Sequence, residues 1–209
     1  MISSHRPSRL VLASASPRRS AMLGDLGLRF EIHPAHIDES LLPDEAPEAH
    51  AERLARAKAV TIAKEHPDAL VLGVDTIVLI DGRVLGKPKD VPDAEAMLAT
   101  IAGRTHTVCT AYAITAVDAG IEHVRLVKSR VTLRELSPER IAKYVATGEP
   151  MDKAGSYAIQ GLGAAFVRAV EGSYTCVVGL PLCEFCEDVE SLLGEDWLAS
   201  ITDAGGLRP

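Results

Sequence analysis

The chain has 209 residues, 47% of them hydrophobic and 24% charged, with a net charge of −7. That is the balance of an ordinary globular protein, long enough for one large domain or two small lobes with a real core. The acidic surplus argues against a nucleic-acid partner held by a general positive field, and no apolar run is long enough to span a membrane.

The opening "MISSHRPSRLVLASASP" sets two arginines before an apolar stretch. Leu10 to Ala15 is too short for a signal-peptide core, and charge returns at Arg18, which reads as a cytoplasmic protein. Arg9 to Ala13 is a short apolar strand. Ser16 and Pro17 mark a helix start, with serine as cap and proline at the first helical position. That helix turns Met22, Leu23 and Leu26 to one face and stops at Gly27. Phe30 to His33 is a second strand, followed by the acidic, proline-containing loop "HIDESLLPDEAPEAH".

The spacing predicts a helix from about Pro47 to Lys64, with Ala51, Leu54, Ala55, Ala59 and Ile62 as its apolar stripe. Lys58 falls on that stripe, and His66-Pro67 ends the helix. "ALVLGVDTIVLIDGRVLGKP" reads as a buried strand, an Asp81-Gly82 hairpin turn and a return strand. A helix from roughly Pro92 to Ala102 follows, then strands near Thr107 to Val117 and Glu122 to Leu133. Ser137-Pro138 opens a further helix that Gly148 closes. Strands are expected around Ala164 to Val170 and Tyr174 to Val178, joined at Glu171-Gly172. Pro181 to Leu193 is a last amphipathic helix with Leu182, Phe185, Val189 and Leu192 on its core side, and residues 203–209 form a loose tail. Hairpins beside helices indicate an α/β fold built on a mixed twisted sheet with flanking helices rather than a doubly wound one. There is no internal repeat.

Four cysteines stand at 109, 176, 183 and 186. Cys183 and Cys186 form a C-x-x-C, but a zinc site needs a second ligand pair and a redox site a thioredoxin-like context. Packing as small hydrophobes on one helical face is the plainer reading.

Several polar residues stand where packing alone would not put them. Arg18 and Arg19 lie in the first turn of a helix, against its dipole. An anion there would relieve the conflict, and Ser14 and Ser16 add hydroxyls. Asp75 interrupts an apolar strand, a position rarely given to a carboxylate without a partner or a metal. Lys58 on its core-side stripe and Lys87 in "LGKPK" are further phosphate partners, and Glu39 lies in the acidic loop. Gln160, in "DKAGSYAIQG" with Asp152 and Lys153, offers both a donor and an acceptor to a base edge. A basic helix start, two carboxylates, two lysines and an amide suit a triphosphate hydrolase using Mg²⁺. The P-loop pattern is absent.

At these residues the chain resembles the Maf family, historically called septum formation inhibitor proteins. The blocks that carry the resemblance are "LASASPRR", "IDES", "LARAKA", "VLGVDTIV", "GKP", "GRTHTV", "MDKAGSYAIQG" and "GSYTCVVGLPL", in order from Leu10 to about Leu193. The resemblance implies a nucleoside triphosphate pyrophosphatase that releases a nucleoside monophosphate and pyrophosphate. It implies a divalent cation (Mg²⁺ or Mn²⁺), a single elongated domain of two lobes around a cleft, a fold related to inosine triphosphate pyrophosphatases, a cytoplasmic location and often a homodimer. By position, Asp75 matches the catalytic acid/base, which with Glu39 would hold the metal. Ser14, Arg19, Glu39, Lys58 and Lys87 match residues lining the phosphate and metal site. Arg18, Thr76 and Gln160 match the three positions that separate branches, in the combination of the branch acting on dTTP and UTP. The rival readings are a different base, such as inosine triphosphate or 7-methyl-GTP, and a non-enzymatic regulator of cell division.

Overall fold

The computed structural model describes residues 6–202. The expected tail at 203–209 lies outside them. Seven strands form one sheet: β1 (Leu10–Leu12), β2 (Phe30–Ile32), β3 (Leu70–Ile80), β4 (Arg83–Leu85), β5 (Thr105–Ala116), β6 (Ile121–Leu133) and β7 (Val167–Glu171). Their order is β2-β1-β3-β5-β6-β7, with β4 paired to β3. β1 runs parallel to both β2 and β3, whereas β3–β4 and β6–β7 are antiparallel. The sheet is therefore mixed, as the alternation of helices and hairpins predicts. The helices are α1 (Pro17–Asp25), α2 (Pro47–Ala63), α3 (Val91–Ile101), α4 (Pro138–Val145), α5 (Tyr174–Val178), α6 (Leu182–Leu193) and α7 (Asp196–Ser200). Among the described residues no helix is long and apolar enough to cross a membrane.

The chain divides into two compact units. The first comprises the residues up to Asp75, Ala111–Leu126 and those from Gly179 onward. Its interior is built from β1 and the start of β3, with Leu23, Leu54, Tyr112, Phe185, Val189 and Trp197 all buried. The second comprises Thr76–Thr110 and Val127–Val178. Its core gathers Leu98 and Ile101 of α3, Ile141 and Tyr144 of α4, Val131 and Leu133 of β6, and Phe166. The β3–β4 turn takes the expected form. Asp81 and Gly82 both have positive φ (49° and 74°), the backbone that matches the twist of a two-residue hairpin.

Four expectations need correction. Tyr174 to Val178 is a helical turn, not a strand, despite its β-branched residues. Gly172, at φ 107°, brings the chain close against β6, and the Ser173 hydroxyl then accepts from Cys176 N–H at 3.2 Å, turning the backbone into a helix. Residues 164–166 belong to a 3-10 turn, Gly161–Phe166, so the strand that follows starts only at Val167. Leu192 is exposed, because α6 buries only Phe185 and Val189. Ser16 sits at the N-cap of α1 but makes no side-chain cap; its N–H donates to the Ser14 hydroxyl at 3.3 Å instead. Helix α7 was not foreseen. It is anchored by Trp197, whose indole N–H donates to Pro7 O at 2.6 Å.

Candidate active site

The site begins with a backbone contact. A Cβ at Gly73 of β3 would lie 2.2 Å from Ala55 O and 2.5 Å from Ala59 N. Only glycine lets α2 approach the strand this closely, and Ala55 and Ala59 add no bulk on the helix side. Residues two apart on a strand share a face, so Asp75 points the same way as Gly73. Lys58, on the same helical stripe, is thereby brought beside it. Lys58 Nζ donates to Asp75 Oδ1 at 2.8 Å, with the two residues 8% and 9% exposed. The lysine that broke an apolar stripe and the aspartate that broke an apolar strand are one buried pair, each supplying the partner that its burial demands.

Glu39 joins them from the acidic loop, its Oε1 2.7 Å from Lys58 Nζ. The loop is fastened to α2 by residues that the sequence did not single out. Arg53 bonds Glu45 with Nε and Nη2, at 2.6 and 2.8 Å, and donates to Ser40 O at 3.0 Å. His50 Nδ1 lies 3.0 Å from the Glu45 carboxylate, which also accepts from Leu42 N–H. Hydrogen bonding to Arg53 holds the Glu45 carboxyl down at about 2. Nothing in an acid-rich loop marks Glu45 as different from its neighbours. Its only sequence signal is Arg53, five residues before the stripe lysine.

Arg19 completes the cluster within the first unit. Its guanidinium donates to Gly179 O at 2.9 Å, to the Ser14 hydroxyl at 2.9 Å and to Val74 O at 3.1 Å. Desolvation lowers its pKa to about 10, against the attraction of Asp75 and Glu39 and with the repulsion of Arg18. Both carboxylates therefore act on Arg19 as well as on Lys58. Ser14 accepts from Arg19 and from Ser16 N–H. Arg18, half-buried in the same turn, adds charge at the positive end of the α1 dipole. The structure thus gathers Ser14, Arg18, Arg19, Glu39, Lys58 and Asp75.

The remaining predicted residues belong to the second unit. Thr76 points to the opposite face from Asp75 and lies 3.0 Å, hydroxyl to hydroxyl, from Thr110, which in turn donates to Cys176 O. Lys87 is exposed in the segment between β4 and α3. Next to it Gly86 O accepts from Gly155 N–H at 3.1 Å. Gln160 is exposed at the start of the Gly161–Phe166 turn. The C-x-x-C pair carries no comparable chemistry. Cys186 is pushed up to about 11 by burial and neighbouring acids, and Cys183 is raised chiefly by Glu187. Both stay protonated thiols, although Cys183 is exposed rather than packed inside.

Glu39 and Asp75 fit a hard divalent cation. They offer hard carboxylate oxygens that both meet the Lys58 ammonium, and Mg²⁺ commonly takes only one or two carboxylates plus substrate phosphates. Among the described residues no group of three or more His, Cys, Asp or Glu is placed to hold an ion, so phosphate oxygens would have to complete the coordination.

Residues 9–192 match the family described as Maf-like protein. A dTTP/UTP pyrophosphatase of Moorella thermoacetica is 52% identical over 189 residues, covering 90% of this chain and 97% of its own. One of Desulfotalea psychrophila is 51% identical over 178 residues, covering 85% and 91%. A solved nucleoside-triphosphatase / dITP/XTP pyrophosphatase of Mycobacterium abscessus aligns at 18% identity and a TM-score of 0.40, over 61% of this chain and 75% of that one, too distant a likeness to argue from.

Proposed function

Since this chain belongs to the Maf family, we propose that it is a hydrolase that cleaves dTTP and UTP, ordinary or modified, to the nucleoside monophosphate and pyrophosphate. The observation that carries the reading is the buried Lys58 ammonium bridging Asp75 and Glu39, with Arg19 under the influence of both carboxylates. Burying the Lys58–Asp75 pair is costly, and a highly charged ligand would give that cost a use.

In this mechanism the triphosphate binds at the start of α1. Arg18, Lys58 and the Ser14 hydroxyl meet its oxygens there, and Lys87 is a further phosphate partner by its position in the family pattern. Arg19 is committed to two carbonyls and a hydroxyl, so it shapes this surface as much as it binds. Lys58 occupies Oδ1 of Asp75. The other carboxylate oxygen is then the one that orients a water for in-line attack at the α-phosphorus and accepts its proton, as pyrophosphate leaves. A divalent cation held by Glu39 and Asp75, Mg²⁺ or Mn²⁺, would neutralise phosphate charge and acidify water near it. Thr76 and Gln160 select the base: uracil and thymine present carbonyl acceptors and an imide donor, which an amide can answer together. The cytoplasmic location and the homodimer belong to the same proposal and rest on family membership.

Asp75→Asn keeps an oxygen for Lys58 and is expected to abolish pyrophosphate release with the fold intact by circular dichroism, at a lowered melting temperature because Lys58 loses its buried counter-charge. Near-normal turnover in this variant would overturn the assignment. Initial rates on dTTP, UTP, CTP, inosine triphosphate and 7-methyl-GTP, with and without Mg²⁺, test the substrate. A preference for either purine nucleotide would refute the pyrimidine reading.

A further inference from the structure

Gln160 is exposed, yet the backbone on both sides of it is tied to one carboxylate. Glu149 Oε1 accepts from Gly163 N–H at 2.9 Å and from the Tyr144 hydroxyl at 2.8 Å, and Oε2 accepts from Leu162 N–H at 3.0 Å. The Tyr144 hydroxyl accepts in turn from Ala158 N–H at 3.1 Å. The amides at 158, 162 and 163 are thus held by one carboxylate–phenol pair, with Gln160 between them. The turn is wrapped so closely that only glycines fit. A Cβ at Gly161, where φ is +67°, would lie 2.6 Å from Glu149 Oε2, and one at Gly163 would lie 2.7 Å from the Tyr144 hydroxyl. Tyr144 is itself buried and edge-on to Phe166, ring centroids 4.9 Å apart.

A surface loop that must only connect two elements has no need of this arrangement. Four hydrogen bonds onto a half-buried carboxylate and a buried phenol restrict the movement of the whole 158–163 segment, and with it the point on the backbone from which the Gln160 side chain reaches out. Position matters for an amide reader. A turn that swings would carry the amide off the base edge, and only an amide held at the right distance can answer uracil's carbonyl and imide N–H together.

We propose that Glu149 and Tyr144 are positioning residues for base selection: they hold the Gln160 turn in the one orientation that favours uracil and thymine over cytosine. The inference rests on the pyrimidine triphosphatase reading above, and its test separates the two. Glu149→Gln keeps the side-chain length but replaces one acceptor oxygen with a donor. Tyr144→Phe keeps the ring on Phe166 and removes only the hydroxyl. Each variant is expected to lower the preference for UTP over CTP about tenfold, the effect of one well-placed hydrogen bond. The change should come through KM, with kcat on dTTP within about twofold of wild type because the phosphate-holding residues are untouched. Gln160→Ala should show the same loss, and combining it with Glu149→Gln should add little, since both act on one contact. Amide exchange at Leu162 and Gly163 should accelerate in Glu149→Gln.

Glu149→Gln and Tyr144→Phe that keep the wild-type UTP/CTP preference while Gln160→Ala loses it would overturn the proposal. So would fully additive effects, or unchanged exchange at Leu162 and Gly163. If the wild type releases pyrophosphate from none of these nucleotides, the functional reading falls. The exchange comparison then still decides whether Glu149 fixes the turn.

Discussion

Lys58 and Asp75 were conspicuous in the sequence because each put a charge where the pattern called for an apolar residue. Neither could be paired with the other without the fold, since 17 positions separate them. Arg19 was equally visible, but its role was read only in part. A sequence places an arginine in the first turn of a helix; it does not say that the guanidinium turns back to Gly179, 160 positions later. That geometry makes a prediction. A planar fork donating in three directions has no counterpart in an ammonium. Arg19→Lys should therefore lower kcat/KM on dTTP by about a hundredfold, the scale of losing one preorganised charge-stabilising group. Steady-state assay against the wild type is the check, and a loss below threefold would mean that Arg19 does not organise the site. Glu45, Arg53, Glu149 and Tyr144 went unnoticed. Each is an ordinary residue in an ordinary position, and its importance lies wholly in partners that only the folded chain supplies.

Among the elements, the long periodic ones were legible almost to the residue. The α2 stripe and the apolar run of β3 each repeat a strong pattern, and the Asp81-Gly82 turn leaves the backbone little choice. The misses are short. Tyr174 to Val178 has strand-like residues, but a five-residue segment carries too little propensity to resist the Ser173 cap and the close pass at Gly172. Helix α7 has one informative residue, Trp197, and a lone aromatic has no period to read. Gly73 also escaped notice, because a glycine inside an apolar strand looks like a weak point rather than a fitting. It is where α2 seats on β3. Gly73→Ala should destabilise the protein by about 1–3 kcal/mol through overpacking. It should reduce activity beyond what stability explains, because displacing α2 separates Lys58 from Asp75. Thermal unfolding alongside turnover would measure both. A variant as stable and as active as the wild type would show that the contact can yield.

For the molecule as a whole, the composition anticipated an acidic, mixed α/β protein. What it could not anticipate is how stability depends on acid. His106 is buried against Tyr157, its Nε2 2.8 Å from the hydroxyl, and burial alone lowers its pKa to about 4. In the unfolded chain the same imidazole takes up a proton near 6.5. Between those values the unfolded state binds the extra proton, so stability falls as pH falls through this window. Below about pH 4 the carboxylates take over. Glu45 is held low by Arg53. At Glu149 burial pushes the carboxyl up, but the N–H groups of Leu162 and Gly163 and the Tyr144 hydroxyl outweigh it and the net shift is downward. Folded pKa values below the unfolded ones give stability that is present above the ordinary carboxylate range and lost on further acidification. The melting temperature of the wild type should therefore decline in two stages. His106→Gln should flatten the first, between about pH 6.5 and 4, and leave the second. An unchanged first stage in that variant would assign it to another group.

Arg19 is fastened to Ser14, to Val74 and to Gly179, and those three positions become available at very different times. Synthesis runs from the N-terminus, and domains generally begin to fold as they emerge. Ser14, Lys58 and Asp75 leave the ribosome while the carbonyl of Gly179 does not yet exist. An incomplete chain can pair its lysine with its aspartate, but it cannot finish setting the arginine beside them. Closure of that bond thus waits for a segment made much later than the other two acceptors. A chain cut short before Gly179 holds Ser14, Lys58 and Asp75 and still lacks one of the three acceptors that fix Arg19.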